Sequence, residues 1–232
     1  MLSTTFPNLK KSVFIVTYGR SGSTLLQNLL NSLPGYLIRG ENENLISPLA
    51  EAWSIVKKSE QGNRMRTNGL ITTSQNPWFG YEAVSEKILG EELASSFTNA
   101  VLRPNDDTRV IGFKEIRWHT DPELFTIIMS FLYRFFPKAQ FIFNTRNHDE
   151  VVRSGWWKYM DEKKVRQQLI QAEDLYLNFA AANSNRCIAL HYNNYIEDTN
   201  SWRSLFDFLA EPFDMEIVNK VLDIKLQHLK NY

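Results

Sequence analysis

Tyr18-Gly19-Arg20-Ser21-Gly22-Ser23-Thr24 combines two glycines, an arginine and three aliphatic hydroxyls between an apolar run and an amphipathic stretch. A strand, a glycine-containing turn and a helix start point successive backbone N–H groups into one concavity. There they hold a phosphate, helped by the helix dipole. Ser21, Ser23 and Thr24 add hydroxyl donors, and Arg20 adds a charge-assisted pair of hydrogen bonds. A bare Gly-Ser turn capped by Ser23 would need no ligand. Arg20 inside the turn, and the turn directly after the first apolar run, favour an anion.

A triphosphate site would need more. The G-x-x-x-x-G-K-[ST] loop places a Lys on the β- and γ-phosphates and a hydroxyl on Mg²⁺. Here Ser23 follows Gly22, and the apolar run 140–144 ends in Asn144-Thr145 rather than in an acid. A second anion site suggests itself at Arg146, just past that run, with Ser154 eight residues on. A helix starting near His148 would put Arg146 at its mouth and Ser154 about two turns in, so that both reach one phosphate. Taken alone, Arg146 would serve equally as a surface ion pair. With the loop at 18–24 it supplies the second of two separated anion sites. The four histidines at 119, 148, 191 and 228 show no ligand spacing, so no metal site is expected.

The elements that must position these residues follow from the apolar periodicity. Five short runs, at 13–17, 36–39, 109–113, 140–144 and 187–191, alternate with helix-period stretches. Leu25, Leu26, Leu29, Leu30 and Leu33 share one helical face, and Pro137 ends a helix expected over about 121–136. Such alternation predicts an α/β fold with a mostly parallel sheet covered on both faces. Residues 45–108 fit it poorly and read as a helical and loop insertion over the cleft, at the sheet edge where ligands bind. Trp53, Trp78, Phe79 and Tyr81 in it would suit stacking on a sugar, or would form the insertion's own small core. One domain over 1–232 is the economical reading.

Composition narrows the partners. Lys plus Arg and Asp plus Glu number 26 each, so no global field draws the chain to nucleic acid or anionic lipid. Any anion site must be local. Cys187 is the single cysteine, which rules out an intramolecular disulfide, and its apolar neighbours predict a buried thiol. The run at 13–17 is far too short to span a bilayer. A reducing cytoplasm is the expected compartment; the sequence does not disclose an oligomeric state.

These two anion motifs together resemble those of the sulfotransferase family. Tyr18 to Leu25 is similar to its 5′-phosphosulfate loop, in the Arg-containing form of bacterial and carbohydrate-type members. Arg146 with Ser154 is similar to its 3′-phosphate motif, and Leu190-His191-Tyr192 to its late tyrosine-containing strand end. Residues 50–105 match nothing in the family pattern. The resemblance implies a P-loop-like three-layer fold of about five strands. It also implies 3′-phosphoadenosine 5′-phosphosulfate as co-substrate, adenosine 3′,5′-bisphosphate as product, and a small-molecule hydroxyl acceptor, carbohydrate-like or otherwise. The expected nucleotide contacts are Arg20, Ser21, Gly22, Ser23, Thr24, Arg146 and Ser154.

For the chemistry, Arg20 is the expected stabiliser of the departing 5′-phosphate, and Lys114, after the run 109–113, the expected partner of the sulfuryl oxygens. Lys114 would serve equally as an ordinary strand-end lysine. The Lys-x-His base of many cytosolic members is missing, since Ile116 stands where the His would; His119 is a distant substitute. The carboxylate that bacterial carbohydrate-type members carry after the second strand is matched by Glu41 as general base, with Glu43 second. Two other readings stay open: a small-molecule kinase with a degenerate loop, and a nucleotide-binding module without turnover.

Overall fold

A computed structural model describes residues 6–224. Its centre is a five-stranded sheet in the order β2-β3-β1-β4-β5, every neighbouring pair parallel. The strands are β1 (Lys11–Thr17), β2 (Tyr36–Arg39), β3 (Val110–Glu115), β4 (Gln140–Thr145) and β5 (Cys187–His191). All five expected runs are strands, and Lys114 is the penultimate residue of β3 rather than following it. Middle strand β1 pairs along its length with both β3 and β4, so its carboxyl end opens between theirs.

Alternation along β1 sets the two faces, because successive side chains of a strand point to opposite sides. Val13 and Ile15 join Leu26, Leu29 and Leu30 of α1 (Ser23–Asn31), and the cluster continues through Leu205 and Phe206 into a later helix. Phe14 and Val16 point the other way, into a larger cluster with Phe113, Phe141 and Phe143. That layer is built by α2 (Ile46–Lys58), with α3 (Glu60–Thr67) following it outside the cluster, and by α4 (Glu86–Phe97), α5 (Pro122–Phe135), α6 (His148–Val152) and α7 (Glu162–Ala182). The chain then adds α8 (Tyr192–Glu197), α9 (Arg203–Leu209) and α10 (Met215–Asp223) on the α1 side.

Local chemistry explains the boundaries. Asp121 caps α5 by accepting from the N–H groups of Glu123 and Leu124, with Pro122 at the first helical position. Asp161 and Asp214 cap α7 and α10 in the same way. Within residues 45–108, Trp53 is buried against Phe131 and Phe135 and donates its indole N–H to Glu86 at 2.8 Å. That tryptophan therefore belongs to the core and not to a cleft. Trp78 and Phe79 are exposed, and Trp78 packs edge-on against Tyr81. Cys187 is half-buried beside the larger cluster, and burial pushes its thiol up to about 12. Among the described residues no helix is long and apolar enough to cross a membrane.

The amino-terminal edge of the sheet is fastened by one carboxylate. Glu211, between α9 and α10, takes both terminal nitrogens of Arg109 at 2.7 Å and the Tyr36 hydroxyl at 3.0 Å, with Lys11 at 3.8 Å. The planar guanidinium and carboxylate meet as a two-pronged pair, and the Glu211 side chain is only 9% exposed. Removing the acid strands two cations and a phenol. Glu211→Ala should therefore cost about 3 kcal/mol, read as a lower urea midpoint with an unchanged slope.

Candidate functional site

The carboxyl ends of β1, β3 and β4 surround a cavity of about 400 Å³. Its floor is the loop at 18–24. Gly22 stands at the N-cap of α1 with φ +81°, in the left-handed region that glycine occupies without strain. No side chain caps α1, in contrast to α4, α5, α7 and α10. The first-turn N–H groups, which a capping oxygen normally satisfies, are left at the cavity. Such a terminus carries partial positive charge and suits an anion.

The loop is held from below by buried hydrogen bonds. The Thr17 hydroxyl lies 2.5 Å from the Asn144 carbonyl oxygen and 2.7 Å from Ser21 Oγ, and Asn144 Nδ2 donates to the Ser21 carbonyl at 2.9 Å. Ser21 is fully buried, so its hydroxyl belongs to this clamp and does not line the cavity. Arg20, Gly22, Ser23 and Thr24 do line it.

Arg20 adopts φ +67°, a conformation that costs a non-glycine residue on the order of 1 kcal/mol or more. Its surroundings hold it there. Nε donates to Ser154 Oγ at 3.0 Å, and the Arg20 carbonyl accepts from Arg146 Nη1 at 3.1 Å. Gly155 passes so close that a Cβ there would sit 2.8 Å from Arg20 Cδ.

The helix expected to carry Ser154 ends earlier. α6 stops at Val152, and Ser154 lies beyond it, next to the left-handed Gly155, because the chain must turn back toward Arg20. Ser154 consequently orients Arg20 instead of joining Arg146 at a common open site, and it is not among the cavity-lining residues. Arg146 does line the cavity. Glu150 Oε2 accepts from its Nε at 2.9 Å and its Nη2 at 2.5 Å, while Asn193 Nδ2 secures the other Glu150 oxygen at 2.6 Å. Hydrogen bonds from the Arg146 side chain and from Asn193 lower the pKa of Glu150. Arg146 also stacks 4.5 Å from the centre of the Tyr192 ring. The backbone N–H of Arg146 donates to the Tyr18 hydroxyl at 2.8 Å, and that hydroxyl donates to Glu173. The two anion motifs are thus tied together through both side chain and backbone.

Opposite the loop stand Glu41 and Lys114, with Lys114 Nζ donating to Glu41 Oε1 at 2.7 Å. Strand order explains the meeting. Glu41 lies two residues past β2, Lys114 is the penultimate residue of β3, and these strands are neighbours. Glu43 points out, with a 91% exposed side chain paired to Arg117. Arg117 also reaches Glu41 Oε2 at 3.5 Å and Glu115 Oε1 at 2.9 Å. Composition conceals this residue, since two of its three acidic partners lie more than seventy positions away in sequence. Glu150, four residues after Arg146, was readable as an i,i+4 pair.

His119 is buried at 3% exposure, with neither ring nitrogen hydrogen-bonded, and does not line the cavity. Burial pushes its pKa down from 6.5 to about 4. The unfolded chain then binds more protons between those values, so stability is complete above pH 6.5 and is lost as pH falls toward 4. The loss is on the order of 3 kcal/mol. His119→Phe should flatten the slope of urea midpoint against pH in that window.

Among the described residues no group of three or more His, Cys, Asp or Glu is placed to hold a metal, and no residue of 45–108 lines the cavity.

A family model described as the sulfotransferase family matches residues 12–215. Among solved structures, the sulfotransferase domain of the Synechococcus PCC 7002 olefin synthase matches with TM-score 0.57 and 16% identity, over 97% of this chain and 84% of that one. The sulfotransferase domain from the curacin biosynthetic pathway gives 0.53 and 17%, over 90% and 77%. A sulfotransferase from Mycobacterium avium gives 0.50 and 11%, over 94% and 70%. At these identities the likeness is one of fold. No curated protein matches the chain in sequence.

Proposed function

The chain belongs to the sulfotransferase family, and on that premise we propose that it transfers the sulfuryl group of 3′-phosphoadenosine 5′-phosphosulfate to a small-molecule hydroxyl. The observation that carries this reading is the single cavity in which an uncapped helix start and two arginines face a Lys–Glu pair. Two anion-binding motifs joined by the Arg146–Arg20 contact suit a ligand with phosphate groups at both ends of a nucleoside. A loop without Lys after Gly22 suits a phosphosulfate better than a triphosphate with its metal.

In the proposed step the acceptor oxygen attacks sulfur in line with the bond to the 5′-phosphate. That S–O bond breaks, its electron pair leaves on the phosphate oxygen, and the acceptor proton passes to Glu41. The N–H groups at the start of α1 and the Arg20 guanidinium stabilise the charge on the departing phosphate, where pre-oriented donors act most strongly. Lys114 turns to the sulfuryl oxygens. The fixed geometry supplies most of the advantage, since the transfer needs positioning and charge stabilisation more than covalent help.

Two measurements test the reading. In a thermal-unfolding comparison, adenosine 3′,5′-bisphosphate at a hundredfold excess over its Kd should stabilise the protein by about 3 kcal/mol, and ATP with Mg²⁺ by much less. A preference for ATP with Mg²⁺ would favour a kinase and sink the donor assignment. Glu41→Gln should keep the bisphosphate shift yet lower kcat by about 10²–10⁴-fold, the usual worth of a general base. Turnover at the wild-type rate would remove Glu41 from the role.

A further inference from the structure

We propose that Arg117, anchored on the buried carboxylate of Glu115, is a positioning residue that holds Glu41 at the cavity wall once Lys114 has turned to the donor. The inference deepens the proposed function and rests on Glu41 as the base.

Glu41 enters the cavity from the loop between β2 and α2, whose own hydrogen bonds run through Asn42 and Asn44 and do not include the Glu41 side chain. The two residues on its far side, Glu43 and Asn44, both adopt left-handed backbone, with φ +54° and +58°. The helix that follows, α2, has no side-chain cap to fix its start. What holds the Glu41 carboxylate is a pair of cations, one on each oxygen: Lys114 on Oε1 at 2.7 Å and Arg117 on Oε2 at 3.5 Å. Each carboxylate oxygen keeps a further lone pair, but two neighbouring cations favour the charged carboxylate over the protonated one, so a proton passes to Glu41 more readily once one of them has left.

Chemistry decides which one leaves. Lysine is a point charge on a flexible four-carbon stem, and Lys114 lines the cavity where an incoming sulfuryl group competes for it. Arg117 is planar and anchored from behind. Its Nε donates at 2.9 Å to Glu115 Oε1, which also accepts the Ile116 N–H at 2.8 Å. The Glu115 side chain has no solvent exposure, and its Oε2 has no hydrogen-bond partner. A carboxylate in that position keeps its one cation, because releasing it would leave a buried uncompensated charge. With Nε held, the other two nitrogens are directed at Glu43 and Glu41. Donor binding therefore exchanges Lys114 from Glu41 to the sulfuryl oxygens, frees Oε1 for the acceptor proton, and leaves Oε2 on Arg117. Arg117 acts only through Glu41 and touches no reacting atom.

The test uses the full chain and follows bisphosphate release from the donor, with water and with a panel of sugar, phenol and aliphatic hydroxyls as acceptors. Arg117→Met, made with Glu115→Gln so that no buried charge is stranded, should lower kcat about a hundredfold relative to Glu115→Gln alone, the scale of a small misplacement of a reacting group. It should leave the donor KM and the bisphosphate thermal shift near wild-type values, which a merely misfolded variant would not. With Glu41→Gln and Glu115→Gln both in place, Arg117→Met should add no further loss, since a residue that works through Glu41 has nothing left to position. A kcat unchanged from that of Glu115→Gln when Arg117→Met is added, while Glu41→Gln is inactive, overturns this inference alone. Losses that multiply in the triple variant overturn it too, by making Arg117 independent of Glu41. Full turnover in Glu41→Gln overturns the base assignment and the inference with it. Wild-type protein that releases no bisphosphate above the blank overturns the transfer reading itself.

Discussion

Everything in this site hangs from the carboxyl end of the middle strand. Where β1 stops, the chain takes two left-handed steps, at Arg20 and Gly22, before α1 begins. Those steps turn the first N–H groups of α1 toward one point and bring the Arg20 side chain back over them. The geometry is costly for Arg20 and survives because its neighbours determine it on every side. Thr17 and Asn144 clamp Ser21 beneath the loop, Ser154 orients the guanidinium, and Arg146 binds the carbonyl. β4 contributes to both the clamp and the second anion motif, so parallel pairing of β1 with β4 sets their distance.

Electrostatically the site is prepared rather than open. Among the described residues, Arg146 rests on Glu150 and Lys114 on Glu41, in a chain with zero net charge. Internal pairing of this kind keeps partly buried cations from standing uncompensated, and an arriving anion exchanges partners with them. Lys114 carries its charge on a flexible stem at the cavity wall, whereas Arg117 is tied to the buried carboxylate of Glu115. The aromatic face of Tyr192 under Arg146 adds a support that does not compete with an anionic ligand, because it binds the cation through its ring.

Much of this was legible before the fold was known. The strand runs at 36–39 and 187–191 carry their pattern locally, in β-branched and apolar residues bounded by turns, and both are strands at those bounds. The loop at 18–24 was readable for the same reason, since glycine, hydroxyl and arginine content is a property of the segment itself. Ser154 was misread as helical because α6 is a single turn. Its end is dictated by the need to reach Arg20, which lies 134 positions earlier. Trp53 was readable as either a ring for stacking or a core residue, and the packing of α2 on α5 makes it core.

The sequence by itself determined the alternation of strands and helices, the glycine, hydroxyl and arginine content of the loop, the lack of a Lys after Gly22 and the family resemblance, because each depends on residues close together in the chain. Tertiary structure alone decided which hydroxyl serves the loop's clamp and which its cavity, which arginine orients which, and that Glu41 meets Lys114 and Arg117. Those pairings join positions separated by about 70 to 130 residues. They exist only where the strand order β2-β3-β1-β4 brings four carboxyl ends to one edge, and no local pattern of residue types encodes that neighbourhood.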